Sequence, residues 1–117
     1  MSDEKLRDLQ QQLRRFAADR DWDQFHSPKN LSMALAVEAA ELVEQFQWLT
    51  EAQSAQLEPD RRERVRLELA DVFIYLLRLA DRLDVDLLRA ATDKMALNAR
   101  KYPAGQVRGD PRKYTEY

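Results

Sequence analysis

The sequence has no cysteine, two glycines, four prolines and a single histidine in 117 residues. Without cysteine there is no disulfide, no thiolate metal site and no thiol nucleophile. Glycine and proline are too scarce, and too far outside the periodic segments, for a turn-rich β fold, so helices are expected. No apolar run approaches membrane-spanning length, and the N-terminal MSDEKLRDLQ lacks the apolar core of a signal peptide. A cytoplasmic protein without a membrane partner is expected. The formal charge of −2 gives no electrostatic footprint for nucleic acid. What is present is 44% hydrophobic and 34% charged residues, the make-up of a folded, charge-coated helical domain.

The periodicity predicts four long helices. The first runs from about Ser2 to Asp21, with Leu6, Leu9, Leu13, Phe16 and Ala17 on one stripe. The connector DWDQFHSPKN follows, carrying Trp22, Phe25 and His26. Asn30 is the expected N-cap of a second helix from about Leu31 to Leu49. After the polar TEAQSAQLEPD, a third helix runs from about Pro59 to Leu83. Val65, Leu69, Val72, Leu76, Leu79 and Leu83 form a heptad-like seam on it. Phe73, Ile74 and Leu77 fall off the seam, a surplus of apolar perimeter that suggests a very central helix or a subunit interface. Asp86 caps a fourth helix from about Leu87 to Lys101. Residues 1–102 read as one all-α four-helix domain and 103–117 as a polar tail, with Arg112, Lys113 and Tyr114 placed to fold back on something anionic.

Two helices carry acids inside their apolar pattern. At about 100° per residue, Glu38 projects within roughly 20° of Leu31 and Leu49. Glu41 follows one turn later. On the third helix Glu68 and Asp71 repeat the spacing, Asp71 lying roughly 40° from Leu67 and roughly 60° from Ile74. One E-x-x-E pair is ordinarily a solvated, salt-bridged face, and RRERVR supplies nearby arginines. Two pairs on core-edge arcs are a different matter, because converging carboxylates repel and need a cation. Oxygen-only donors suit Mg²⁺, or Mn²⁺, over zinc. A di-iron bundle is disfavoured, since its Glu-x-x-His motif has no histidine to draw on.

The stripes continue in a consistent way. Beyond Glu41 lie Gln45 and Trp48; beyond Asp71 lie Tyr75 and Arg78; Lys94, Asn98 and Lys101 share a face of the fourth helix. A cation site with basic groups, an amide and flat rings suits a nucleoside polyphosphate. Each feature has a plainer alternative: Trp48 as core, the lysines as solvated charges, Trp22 and His26 as the plug of a bundle end.

Glu38-x-x-Glu41 with Glu68-x-x-Asp71 resembles the metal motif of the all-α NTP pyrophosphatases, the MazG-like group. The segments FAADRDWDQFHSPKN, EQFQW, ELADVFIYL, DKMALNARKYP and RKYTE resemble its dCTP pyrophosphatase subgroup. The resemblance implies a homo-oligomeric helical bundle, a tetramer or dimer with active sites between subunits. It also implies Mg²⁺-dependent hydrolysis of dCTP, or a C5-modified dCTP, to dCMP and pyrophosphate, a nucleotide-pool activity. By it, Glu38, Glu41, Glu68 and Asp71 bind metal and are catalytic, and Trp22 and Trp48 flank the base. His26, Tyr75 and Asn98 lie near the nucleoside, and Lys94, Arg100, Lys101 and Tyr102 near the phosphates. The chain departs from the subgroup at Leu13, where animal members carry histidine. Any of the four acids could be the general base, Glu41 being the candidate furthest from the apolar arc. Two other readings stay open: a related enzyme acting on another nucleoside triphosphate, and a non-catalytic helical interaction module whose acids pair with Arg and Lys across a subunit contact.

Overall fold

The computed structural model describes residues 3–111, so Arg112, Lys113 and Tyr114 lie outside the described residues. Among the described residues every regular element is helical: α1 (Asp3–Asp19), a 3₁₀ turn (Asp23–Phe25), α2 (Pro28–Glu44), α3 (Glu51–Ala55), α4 (Pro59–Arg82), α5 (Leu87–Lys101) and α6 (Ala104–Val107). The chain divides into two compact units, Met1–Asp84 and Val85–Tyr117.

In the first unit α4 packs against α2 most extensively, and also against α1. Its core is small: Leu6 and Ala17 of α1, Leu31 of α2, and Val65, Leu77 and Ala80 of α4 are buried. Of the seam expected on α4, Val65 is buried and Val72 and Leu79 are half-buried, but the rest lies outside the core. Leu77, off the seam, is fully enclosed, whereas Leu69 and Leu83 are 52% and 53% exposed and Leu76 is exposed as well. Leu69, Leu76 and Leu83, seven residues apart, form a stripe that faces out.

Local chemistry explains the boundaries. The first helix closes in a Schellman arrangement, in which Trp22 N–H donates to the Ala17 carbonyl at 2.9 Å and Asp21 N–H to that of Ala18 at 3.1 Å. Asp21 takes the left-handed conformation this closure requires, with φ 55°. The N-cap of α2 is Ser27, not Asn30: the Ser27 hydroxyl accepts from Asn30 N–H at 3.1 Å, and Pro28 occupies the first helical turn. Proline restricts the residue before it to extended backbone, which is also what an N-cap needs. Asn30 instead donates its side-chain amide to the Phe25 carbonyl, tying α2 to the aromatic turn.

The second helix ends at Glu44, five residues short of the expected Leu49, and Gln45–Trp48 form turns. Arg61 of α4 donates to the Gln45 carbonyl at 2.7 Å, satisfying an acceptor left over at this helix end. The following polar stretch contains α3, nucleated by a capping box between Thr50 and Gln53. Asp86 caps α5 as expected, accepting from Arg89 N–H.

Candidate acid cluster and adjoining cavity

The α2–α4 contact brings the two acidic pairs together. Carboxylate oxygens of Glu38, Glu41 and Glu68 lie within 4.8 Å of one another, and all three residues are half-buried. Asp71 falls outside this trio and is exposed, yet its charge acts on both Glu38 and Glu68. Burial first, then a side-chain hydrogen bond with Glu41 and the negative charges of Glu41, Asp71 and Glu68, push the Glu38 carboxyl up to about 7. Glu68 is raised as well, by desolvation and then by the charges of Glu41 and Asp71.

Three arginines of the RRERVR segment are engaged elsewhere. Arg61 and Arg64 bond to Gln45, and Arg66 pairs with Glu63 on its own helix at 2.7 Å. Glu38 Oε2 and Glu68 Oε2 are consequently buried with no hydrogen-bond partner. Orphaned, buried carboxylate oxygens in a set of oxygen donors are what a hard divalent cation fits. No nitrogen or sulfur donor stands among them to favour a softer transition metal.

Beside the acids lies a cavity of about 310 Å³, lined by Leu13 and Phe16 of α1, Trp22 and His26 of the connector, and Asp71, Ile74, Tyr75 and Arg78 of α4. Its volume is at the lower end for small-molecule pockets. Asp71 borders both the cavity and the acids' field, so one helix edge joins the two. Trp22 meets Phe16 edge-on at 5.6 Å and His26 at 6.2 Å. The guanidinium of Arg20 stacks over the outer Phe16 ring at 3.6 Å.

Arg78 organises the far wall. It is buried (6% exposed) and donates from Nη2 to Asp23 at 2.5 Å and from Nε to His26 Nδ1 at 3.3 Å. Its Nη1 lies 3.6 Å from Asp81, which is held in turn by a two-pronged contact from Arg14. Arg14 keeps the Asp81 carboxyl below its ordinary value. Desolvation and the Arg78 charge lower the His26 pKa, so the ring is neutral at pH 7. Arg78 also borders a second, polar cavity of about 410 Å³ on the Arg14–Asp81 side.

Of the residues singled out from sequence, Glu38, Glu41 and Glu68 meet as a trio, and Trp22, His26, Asp71 and Tyr75 line the cavity. Trp48 is not on a helical stripe. It sits in the turn after α2 and is 86% exposed, because the helix that would have carried it stops at Glu44. Lys94, Asn98, Arg100 and Lys101 are exposed on α5, and Tyr102 closes that helix by donating its N–H to the Asn98 carbonyl. They belong to the second unit. Sequence reasoning passed over Asp23 and Phe16 as site residues and placed Arg78 only as the end of a stripe. An arginine in the middle of an apolar helix, at Leu77-Arg78-Leu79, was the available signal.

Residues 33–116 match the MazG-like family. The chain is 49% identical to human dCTP pyrophosphatase 1 over 113 residues, covering 95% of this chain and 66% of that protein. It thus spans just under two thirds of the human protein's length. The bovine protein of the same name is 44% identical over 117 residues, with 98% and 69% covered. The fold superposes on the crystal structure of a pyrophosphatase from Archaeoglobus fulgidus with a TM-score of 0.81 at 38% identity, covering 88% of this chain and 96% of that one. With a family match over most of its length, and helices, acids and relatives in agreement, the chain belongs to the MazG-like family.

Proposed function

We propose that this chain is a Mg²⁺-dependent nucleoside triphosphate pyrophosphohydrolase whose substrate is dCTP or a C5-modified dCTP, acting in the cytoplasm on the nucleotide pool. The observation that carries this reading is the trio Glu38, Glu41 and Glu68 with two orphaned buried oxygens, set beside an aromatic-walled cavity. The names of the human and bovine relatives supply the substrate. Glu38, Glu41 and Glu68 hold the cation, with Asp71 at the edge toward the cavity; Mn²⁺ is an acceptable substitute. A divalent ion there supplies Lewis acidity toward the phosphate oxygens and the attacking water.

The chain's own residues do the rest. Trp22 and Tyr75 give the base flat apolar walls, and His26 meets its polar edge or the sugar. Glu41, hydrogen-bonded toward both neighbouring acids, is the candidate general base, a role in which it would take the water's proton instead of ligating the cation. Hydrolysis breaks the α–β phosphoanhydride, and dCMP and pyrophosphate between them take up the water. Lys94, Arg100, Lys101 and Tyr102 receive the phosphates, Asn98 the nucleoside, and Trp48 the second face of the base, all by the family resemblance. The exposed stripe Leu69, Leu76 and Leu83, with Met33, Val37 and Val43 of α2, supports self-association as a homotetramer or dimer. Unpaired acids argue against a mere interaction module, whose carboxylates would be matched by arginines.

A panel of deoxynucleoside and ribonucleoside triphosphates incubated with Mg²⁺ and resolved by chromatography tests the reading. The expected products are dCMP and pyrophosphate. Orthophosphate as first product, or no metal-dependent turnover of any nucleotide, would sink it; faster turnover of another triphosphate would reassign the base pocket alone.

A further inference from the structure

Arginine carries five N–H donors and no acceptor, and it stays charged at any physiological pH. A histidine nitrogen that faces it must therefore offer a lone pair. The Arg78 Nε to His26 Nδ1 contact at 3.3 Å imposes this on the ring. The imidazole proton then sits on Nε2, the one polar group the ring has left for a ligand of the cavity it lines. The imposition is firm because the guanidinium is itself immobilised: it is 6% exposed, bonded to Asp23 at 2.5 Å and flanked by Asp81. Asp23 and His26 belong to the connector, while Arg78 belongs to the helix that carries Asp71 and Tyr75. One side chain thus locks the aromatic turn against the acid-bearing helix.

We propose that Arg78 is a positioning residue that fixes His26 as an obligate hydrogen-bond donor toward the cavity, so that the cavity selects a ligand presenting an acceptor, such as a pyrimidine carbonyl oxygen, at that wall. The assignment of a nucleotide to the cavity rests on the proposed function; the tautomer of His26 does not. The charges acting on the ring are Arg78 and Arg82 from α4 and Asp23 from its own turn, and Trp22 flanks it.

His26 is the only histidine in the chain, so its ring nitrogens are directly readable. Long-range ¹H–¹⁵N correlation spectra of the uniformly labelled full chain at pH 7 are expected to show a neutral ring protonated at Nε2. Arg78→Lys retains the positive charge but loses the fork that holds Asp23 and His26 together, and is expected to give mixed tautomers. Where that variant fails to fold, Asp23→Asn loosens the same guanidinium and is expected to shift the ring signals in the same sense. An Nδ1–H tautomer or an imidazolium in the unmodified protein overturns the proposal, as does an unchanged spectrum in both variants. For dCTP turnover, Arg78→Lys is expected to raise KM about tenfold, the worth of one hydrogen bond, with kcat nearly unchanged. His26→Gln, which keeps an N–H donor, should recover part of the affinity that His26→Phe loses. A fall in kcat alone, or equal losses in those two variants, refutes the selective role. If no nucleotide is turned over, the spectra still decide whether Arg78 sets the ring.

Discussion

Glu38 offers a test of the acid cluster that needs no substrate. Its carboxyl is raised from 4.5 to about 7, so between those values the folded chain holds a proton that the unfolded chain has released. Folding takes up a proton in that window, and stability falls as pH rises through it, with the full loss present above about 7. At full strength such a displacement corresponds to about 3.4 kcal/mol, and because Glu38 is only half-buried, solvent screening leaves on the order of 1–1.5 kcal/mol. Glu68 adds a loss of the same sign. His26 acts oppositely: its lowered pKa makes stability rise as pH climbs toward its ordinary 6.5. Urea titrations of the protein and of Glu38→Gln in EDTA, from pH 5 to 8.5, separate the two, since the variant retains His26. Relative to Glu38→Gln, the unmodified protein should lose about 1 kcal/mol between pH 5 and 8, and millimolar Mg²⁺ should restore it at pH 8 but not in the variant. A metal-free difference that is flat, or that favours the unmodified protein as pH rises, refutes both the crowding of the acids and the cation site built on it.

Replacing Glu41 by Gln or Asp71 by Asn should reduce dCTP turnover at least about 10²-fold while circular dichroism shows undiminished helix; collapse of the fold in both variants would make these acids structural. Asp21→Gly should raise the urea-derived stability by about 0.5 kcal/mol, because the residue closes α1 with φ 55°, where only glycine is unstrained, and a loss of stability would contradict that account. Leu69→Glu, which plants a charge on the exposed stripe of α4, should lower the mass found by light scattering; a protein that is already a stable monomer contradicts the reading of that stripe as an interface.

What could be read from the sequence followed from helical periodicity, a local property. The i, i+3 spacings of Glu38/Glu41 and Glu68/Asp71 are regular because α2 and α4 are unbroken where the acids sit, and Glu38, Glu41 and Glu68 converge while Asp71 stays exposed outside the trio. The errors came from capping chemistry, which overrides periodicity within one turn. Ser27-Pro28 reads as part of the connector yet starts a helix, and Thr50-x-x-Gln53 is a capping-box pattern that opens α3. Trp48 was misplaced for the same reason: the apolar pattern runs on past Glu44, but Arg61 draws off the Gln45 carbonyl and the backbone turns. Arg78 was under-read because its meaning is non-local. Its partners Asp23 and His26 lie 55 and 52 residues earlier, and no window of sequence joins them.

The charge pattern along α4 ties these observations into one argument. Glu68 and Asp71 stand toward one end, Tyr75 follows a turn later, and Arg78 lies less than a turn beyond it. At 1.5 Å per residue the span from Glu68 to Arg78 is about 15 Å, comparable to an extended nucleoside triphosphate. The cavity opens along this span, from Asp71 to Arg78. Had Arg61, Arg64 and Arg66 turned toward the acids, the cluster would be largely compensated and would have less use for a cation. Had Arg78 lacked Asp23 and Asp81, a bare guanidinium would compete for the phosphates with a cation held by the acids. Instead Arg61 and Arg64 bond to Gln45, Arg66 to Glu63, and Arg78 to Asp23 and Asp81, and the buried oxygens of Glu38 and Glu68 are left without a hydrogen-bond partner. On the proposed function, the uncompensated oxygens lie at the end that would take a divalent ion, while at the other end Arg78 is paired with Asp23 and Asp81. That polarity is what a ligand with a charged triphosphate and an uncharged base demands.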